Sequence, residues 1–143
     1  MQGRTPALLV LAQFAAIAVA AIGGPVPPAW ALLVLGLALA LVGWSWWAMP
    51  PGTFAVSPVP RAGAGLATGG PYRLVRHPMY LAVLLAAVAF TAGAFNWWRA
   101  MATLALVPVL VAKLRLEERM LADRFPDRAN RMAGVARLIP GLW

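Results

Sequence analysis

Long apolar runs, with no sustained polar–apolar alternation, dominate the first half of this chain. Residues 5–60 contain no ionisable side chain, a stretch longer than the core of a water-soluble domain supplies. Within it, residues 7–22 and 29–49 are each near the ~20 residues a helix needs to cross a bilayer. Gly23-Gly24-Pro25-Val26-Pro27-Pro28 separates them and cannot continue a helix. Gln13 is the one polar side chain in the first run, while Trp30 begins the second and Trp44, Trp46 and Trp47 end it. Tryptophans at both ends of a run suit a membrane interface. The first run also has the features of a secretory leader, with Arg4 before it and Ala18-Val19-Ala20 near its end; the expectation is that it stays as a first span.

Residues 50–70 are rich in proline and glycine and too broken to span. A third run covers residues 79–95, and Asn96-Trp97-Trp98-Arg99 makes an interfacial turn. A fourth run follows over 100–112 and contains Pro108, a position for a kink. Counted from Trp97 it is about 24 Å long at 1.5 Å per residue. It must therefore begin in the interface or extend into the charged segment beyond Lys113. That segment is amphipathic. The expected architecture is an all-α membrane bundle of about four transmembrane helices with a cytoplasmic amphipathic C-terminal helix. It forms one domain, with two spans and a connector over 1–65 and the chemistry over 66–143.

Composition narrows the function. Hydrophobic residues are 62% of the 143 and charged residues 11%, about half the charge density of soluble domains. There is no cysteine, so disulfide and thiol chemistry are excluded. One histidine and four acids argue against a metal centre. The net charge of +8 has a better use than nucleic acid, because lysine and arginine mark cytoplasmic loops and attract anionic headgroups. With four spans, 11 of the 12 Lys/Arg fall on one face and only Arg99 on the other. This places both termini, the 61–76 segment and the tail in the cytoplasm, with the protein in the inner membrane.

Two polar clusters then share that face. In the first, Arg73, Arg76, His77, Tyr72 and Tyr80 fall within nine residues. The plain reading is arginines on lipid phosphates and His77 capping the next helix. The second is Glu117-Glu118. At 100° per residue Glu118 lies about 40° from Leu114, inside a stripe with Leu121 and Phe125, and Glu117 lies about 60° to the other flank. Asp123 points elsewhere. A carboxylate on a buried face needs a partner, and that partner is either a helix-pinning arginine or a bound polar ligand. Both clusters together would roof an apolar bundle, a site for an amphiphile whose head reacts in the cytoplasm.

The run Leu66-Ala67-Thr68-Gly69-Gly70-Pro71-Tyr72-Arg73-Leu74-Val75-Arg76-His77-Pro78-Met79-Tyr80 resembles the signature of the isoprenylcysteine carboxyl methyltransferase and phospholipid methyltransferase group. That group follows it with a helical hairpin, a Glu-Glu pair, a nearby Phe and Arg-x-Ile-Pro. Here Glu117-Glu118, Phe125 and Arg137-Leu138-Ile139-Pro140 come in that order. The resemblance spans residues 66–140. It departs at Ala82, where the group has Gly, and at Pro126–Met132, where it has Gly and two tyrosines; spacing to Arg137 is one residue short. It implies a membrane methyltransferase using S-adenosylmethionine, a lipophilic acceptor, no metal and no nucleic acid.

By that resemblance Tyr72, Arg73, His77, Pro78, Tyr80, Glu117 and Glu118 contact the cofactor. Arg76, Glu117 and Arg137 serve catalysis, the arginines by pairing with a carboxylate and Glu117 as a base if the acceptor is an amine. The acceptor is the carboxylate of an isoprenylcysteine-like thioether or the amine of a phospholipid. A nicotinamide-dependent membrane reductase shares a His-Pro-x-Tyr hairpin but is longer. A cation exporter would want an acid inside a span, and none is there. A non-catalytic protein keeping the motif is the remaining rival. On the third run, Ala82, Ala86, Ala89 and Gly93 recur at helical spacing and are expected to pack closely against another helix.

Overall fold

The computed structural model describes residues 4–22, 25–55, 57, 59 and 62–141. Gly23, Gly24 and Arg61, which enter the turn and charge arguments, lie outside them. The described residues form five helices and no strand: α1 (Arg4–Ala21), α2 (Ala29–Trp47), α3 (Pro78–Gly93), α4 (Trp97–Arg124) and α5 (Arg128–Arg131). A 3-10 turn over Gly70–Arg73 precedes α3. By length and composition α1 and α2 are the two helices able to cross a membrane; α3 is apolar but only 16 residues long.

The bundle packs α2 on α3, α1 on α4 and α3 on α4. Its centre is Ala87, Leu106 and Leu110, with Ala16, Tyr80, Val83 and Leu84 around them. Outward, Leu8, Leu11, Phe14, Leu33, Leu37 and Leu104 are more than half exposed, a surface suited to hydrocarbon and not to water.

The fourth run and the amphipathic tail are a single helix of 28 residues. No Gly or Pro interrupts residues 109–124, and all but Val109, Val111 and Asp123 are the strong helix formers Ala, Leu, Lys, Arg, Glu and Met. Pro108 lies inside the helix without ending it. Asn96 caps its start by accepting the Arg99 N–H at 3.0 Å.

Arg99, expected in an interfacial turn, is 2% exposed. Its guanidinium donates to the carbonyls of Ala20 at 3.0 Å and Ala94 at 2.7 Å, tying the ends of α1 and α3 together. Gln13 is also buried and accepts from Lys113, a lysine enclosed between α1 and α4. The small-residue face of α3 divides. Gly93 meets α2 so closely that a β-carbon there would lie 2.5 Å from that of Ala31, and Ala89 is buried. Ala82 and Ala86 instead border a cavity.

Candidate active site

The segment before α3 is held between the end of α2 and the C-terminal segment. Gly70 has φ +53°, and a β-carbon on it would approach Ala48 at 2.9 Å and Trp44 at 3.0 Å. Glycine therefore lets the turn lie against the end of α2. On the other side, Val75 forms a parallel bridge with Ala136. The Arg76 N–H donates to the Ala136 carbonyl at 2.8 Å and the His77 N–H to that of Arg137 at 3.2 Å. The Arg76 side chain reinforces the link, with Nε on the Val135 carbonyl and Nη2 on that of Met132, both at 3.0 Å. Arg76 is thus a clamp on the C-terminal segment.

His77 begins α3 but its side chain makes no capping bond. The ring turns to Glu118, Nε2 lying 2.7 Å from Oε1, and it stacks on Tyr80 with centroids 5.4 Å apart. Glu118 also accepts from Arg128 Nη2 at 2.5 Å, and Arg76 Nη1 is 3.5 Å from its other oxygen. Burial works against ionisation of Glu118. The hydrogen bonds from His77 and Arg128, with the Arg128 charge, outweigh it and hold the carboxyl far below the usual range.

Glu117 is placed differently. Its Oε2 accepts from the Tyr80 hydroxyl at 2.6 Å and lies 3.7 Å from His77 Nδ1. Lys113, one turn earlier on α4, places its ammonium 5.2 Å from the Tyr80 ring centre.

These groups border a half-open cleft beneath the connector. Tyr72, Arg76, His77, Pro78, Tyr80, Glu117 and Arg128 line it, facing Met49, Thr53, Gly65 and Leu66. Thr53 accepts from the Gly65 N–H at 3.1 Å and closes the connector over it. Glu118 is not on the cleft wall; neither are Arg73 and Arg137, both of which have exposed side chains. Two polar atoms on the lining residues, Tyr72 Oη and Arg128 Nε, are buried without a hydrogen-bond partner among the described residues. Burial, and then the nearby Glu117 charge, push the Tyr72 phenol well above its ordinary pKa, so it stays protonated.

Residues 27–128 match the phospholipid methyltransferase family. The chain belongs to that family. No individual curated protein matches it significantly. The match covers α2, the 3-10 turn, α3, α4 and the first residue of α5, hence nearly all the residues that line the cleft.

Sequence reasoning overlooked Arg128 and Lys113. Arg128 stands in a segment read only as a departure from the family pattern, yet it is 5% exposed and holds Glu118. Lys113 enters the sequence reading only as the start of the charged segment. Its spacing of four residues before Glu117 was the available signal.

Proposed function

We propose that the protein transfers a methyl group from S-adenosylmethionine to the polar head of a membrane amphiphile at the cytoplasmic face. The family match favours a phospholipid amine as acceptor, with an isoprenylcysteine-like carboxylate as the other chemistry the group uses. The observation that carries the reading is the pair of buried atoms, Tyr72 Oη and Arg128 Nε, that have no partner among the described residues and lie beside Glu117, a carboxylate on the cleft wall. Each such orphan costs about 1–3 kcal/mol, and a ligand with acceptor atoms relieves it. The residues fit a donor carrying an ammonium, a carboxylate and ribose hydroxyls.

S-adenosylmethionine supplies an electrophilic methyl on a sulfonium. Glu117 presents a fixed negative charge to a cationic donor, and Tyr80 sets its orientation by hydrogen bonding. Arg128 offers Nε to a carboxylate, and Tyr72 offers its hydroxyl to a ribose or base acceptor. The His77–Tyr80 stack gives an apolar wall that keeps water from the reacting groups. An amine acceptor must lose a proton, and Glu117 is the group in reach to take it; a carboxylate acceptor needs no base.

In this reading the shorter α3 and the first half of α4 cross the membrane beside α1 and α2, with both termini cytoplasmic. The 11-to-1 distribution of Lys/Arg supports that orientation.

Calorimetry in detergent with S-adenosylhomocysteine, against NADPH as control, tests the donor. Turnover with radiolabelled donor in vesicles of phosphatidylethanolamine, followed by lipid separation, tests the acceptor. Binding of NADPH in place of S-adenosylhomocysteine would overturn the reading.

A further inference from the structure

Below the polar cleft, between α1, α2 and α3, lies a second cavity of about 320 Å³ with an almost wholly apolar lining. No side chain of the site enters it. A continuous stripe on α3 runs from one cavity to the other, and α2 lines the apolar cavity and ends beside the cleft. On α3, Met79 lines the cleft, and Ala82, Ala86 and Phe90, at i+3, i+7 and i+11, line the apolar cavity. On α2, Val42 and Leu35, seven residues apart, line the apolar cavity, and Met49, two residues past the helix end, lines the cleft. Residues at these spacings fall on one face of a helix. A ligand lying along the α3 stripe would run about 16 Å down that helix, at 1.5 Å per residue. Its upper part would meet Tyr72, Glu117 and Arg128, and its lower part only hydrocarbon.

We infer that this cavity is the seat of the acceptor's own hydrocarbon chain, which lies between α2 and α3 with its head in the cleft. The inference rests on the methyltransferase reading and adds the place and polarity of the acceptor. A transmembrane helix, about 10–12 Å across, is too wide for a crevice closed on its third side by Ile17 and Ala20 of α1. A single chain is the apolar object that suits it. Small side chains at Ala82 and Ala86 leave the space open, and water gains nothing in a cavity without polar partners. Because lipid tails are as apolar as the wall, the chain is held by packing contacts and filling the cavity should remove them.

The test combines a bulkier wall with a mapped probe. Ala86→Leu and Ala86→Phe narrow the cavity, and Val88→Phe, on the outward face of α3, is the control. Binding of S-adenosylhomocysteine to each variant reports whether the cleft is still formed. The cavity variants should raise KM for a long-chain phosphatidylethanolamine about tenfold or more, with kcat and S-adenosylhomocysteine affinity retained. A truncated, soluble analogue should show no such change, and Val88→Phe should behave as the parent. A phosphatidylethanolamine with a mid-chain diazirine should crosslink to residues 35–42 and 82–90 in the parent and lose those adducts in Ala86→Phe. Adducts confined to other surfaces overturn the inference. Adducts in the cavity with unchanged KM overturn it too, because the occupant is then a resident bilayer lipid. A parent protein that fails to bind S-adenosylhomocysteine brings down the methyltransferase reading as well, a result separable from either of those.

Discussion

Tyr80 and Glu117, 37 residues apart, are joined by a 2.6 Å hydrogen bond from phenol to carboxylate. The bond crosses from the first turn of α3 to the second half of α4 and fixes the carboxylate that faces the cleft. Glu117→Gln should therefore weaken S-adenosylhomocysteine binding by about 10- to 150-fold, the range for losing a charge-assisted hydrogen bond. Tyr80→Phe should have a smaller effect in the same direction. Calorimetry on both variants decides the point, and unchanged affinity in Glu117→Gln removes that residue from the site.

Glu118 should behave otherwise. Its oxygens are taken by His77, Arg128 and Arg76, and its removal leaves Arg128 buried without its countercharge. Glu118→Gln is expected to cost about 1.5–3 kcal/mol of stability, read as a fall in Tm. Asp123→Asn, at an exposed position, should stay within about 0.5 kcal/mol of the parent. Equal losses in the two variants would contradict the clamp.

The same carboxyl sets an acid limit. Its pKa is lowered in the folded protein from a reference of 4.5, so its contribution is full above that pH. It is lost as pH falls toward the lower folded value. Tm measured from pH 7 to pH 3 should drop below about pH 4.5, and the drop should be shallower in Glu118→Gln.

Arg99 offers a test of stability without chemistry. Two charge-assisted bonds, each worth about 1.5–3 kcal/mol, join it to the ends of α1 and α3 at the end of α4 far from Glu117. Arg99→Ala should lower Tm strongly while the folded fraction keeps its S-adenosylhomocysteine affinity.

Orientation can be read chemically because the chain has no cysteine. Single cysteines at Val26, 83% exposed, and at Ala133 should react with an impermeant thiol reagent from opposite sides of the membrane. Reaction of both from one side would sink the four-span topology.

The run pattern made the helices and the meeting of motif and tail legible, because apolar length and proline punctuation act locally. What it could not assign was the division of labour between the two glutamates. A helical wheel gives an angle but not the neighbour found there. Glu118 does lie toward the buried side with Leu114, but what occupies that side is Arg128 and the C-terminal segment. Glu117, on the flank, turned out to border the cleft. The ties of Arg76 to the carbonyls of Met132 and Val135 were also hidden, since backbone acceptors carry no mark in a sequence.

The unbroken α4 has a mechanical consequence. At 28 residues it is about 42 Å long, against about 30 Å of hydrocarbon in a bilayer. Arg99 anchors one end while Glu117 and Glu118 project near the other, so on the proposed four-span reading the helix acts as a lever between the two membrane faces. A bilayer that is too thick or too thin is accommodated by changing tilt. Any change in the tilt of α4 shifts Glu117 against Tyr80. Turnover in vesicles of graded acyl length should therefore peak at one thickness, and lengthening α4 by one turn between Leu110 and Lys113 should displace both carboxylates from their partners on α3.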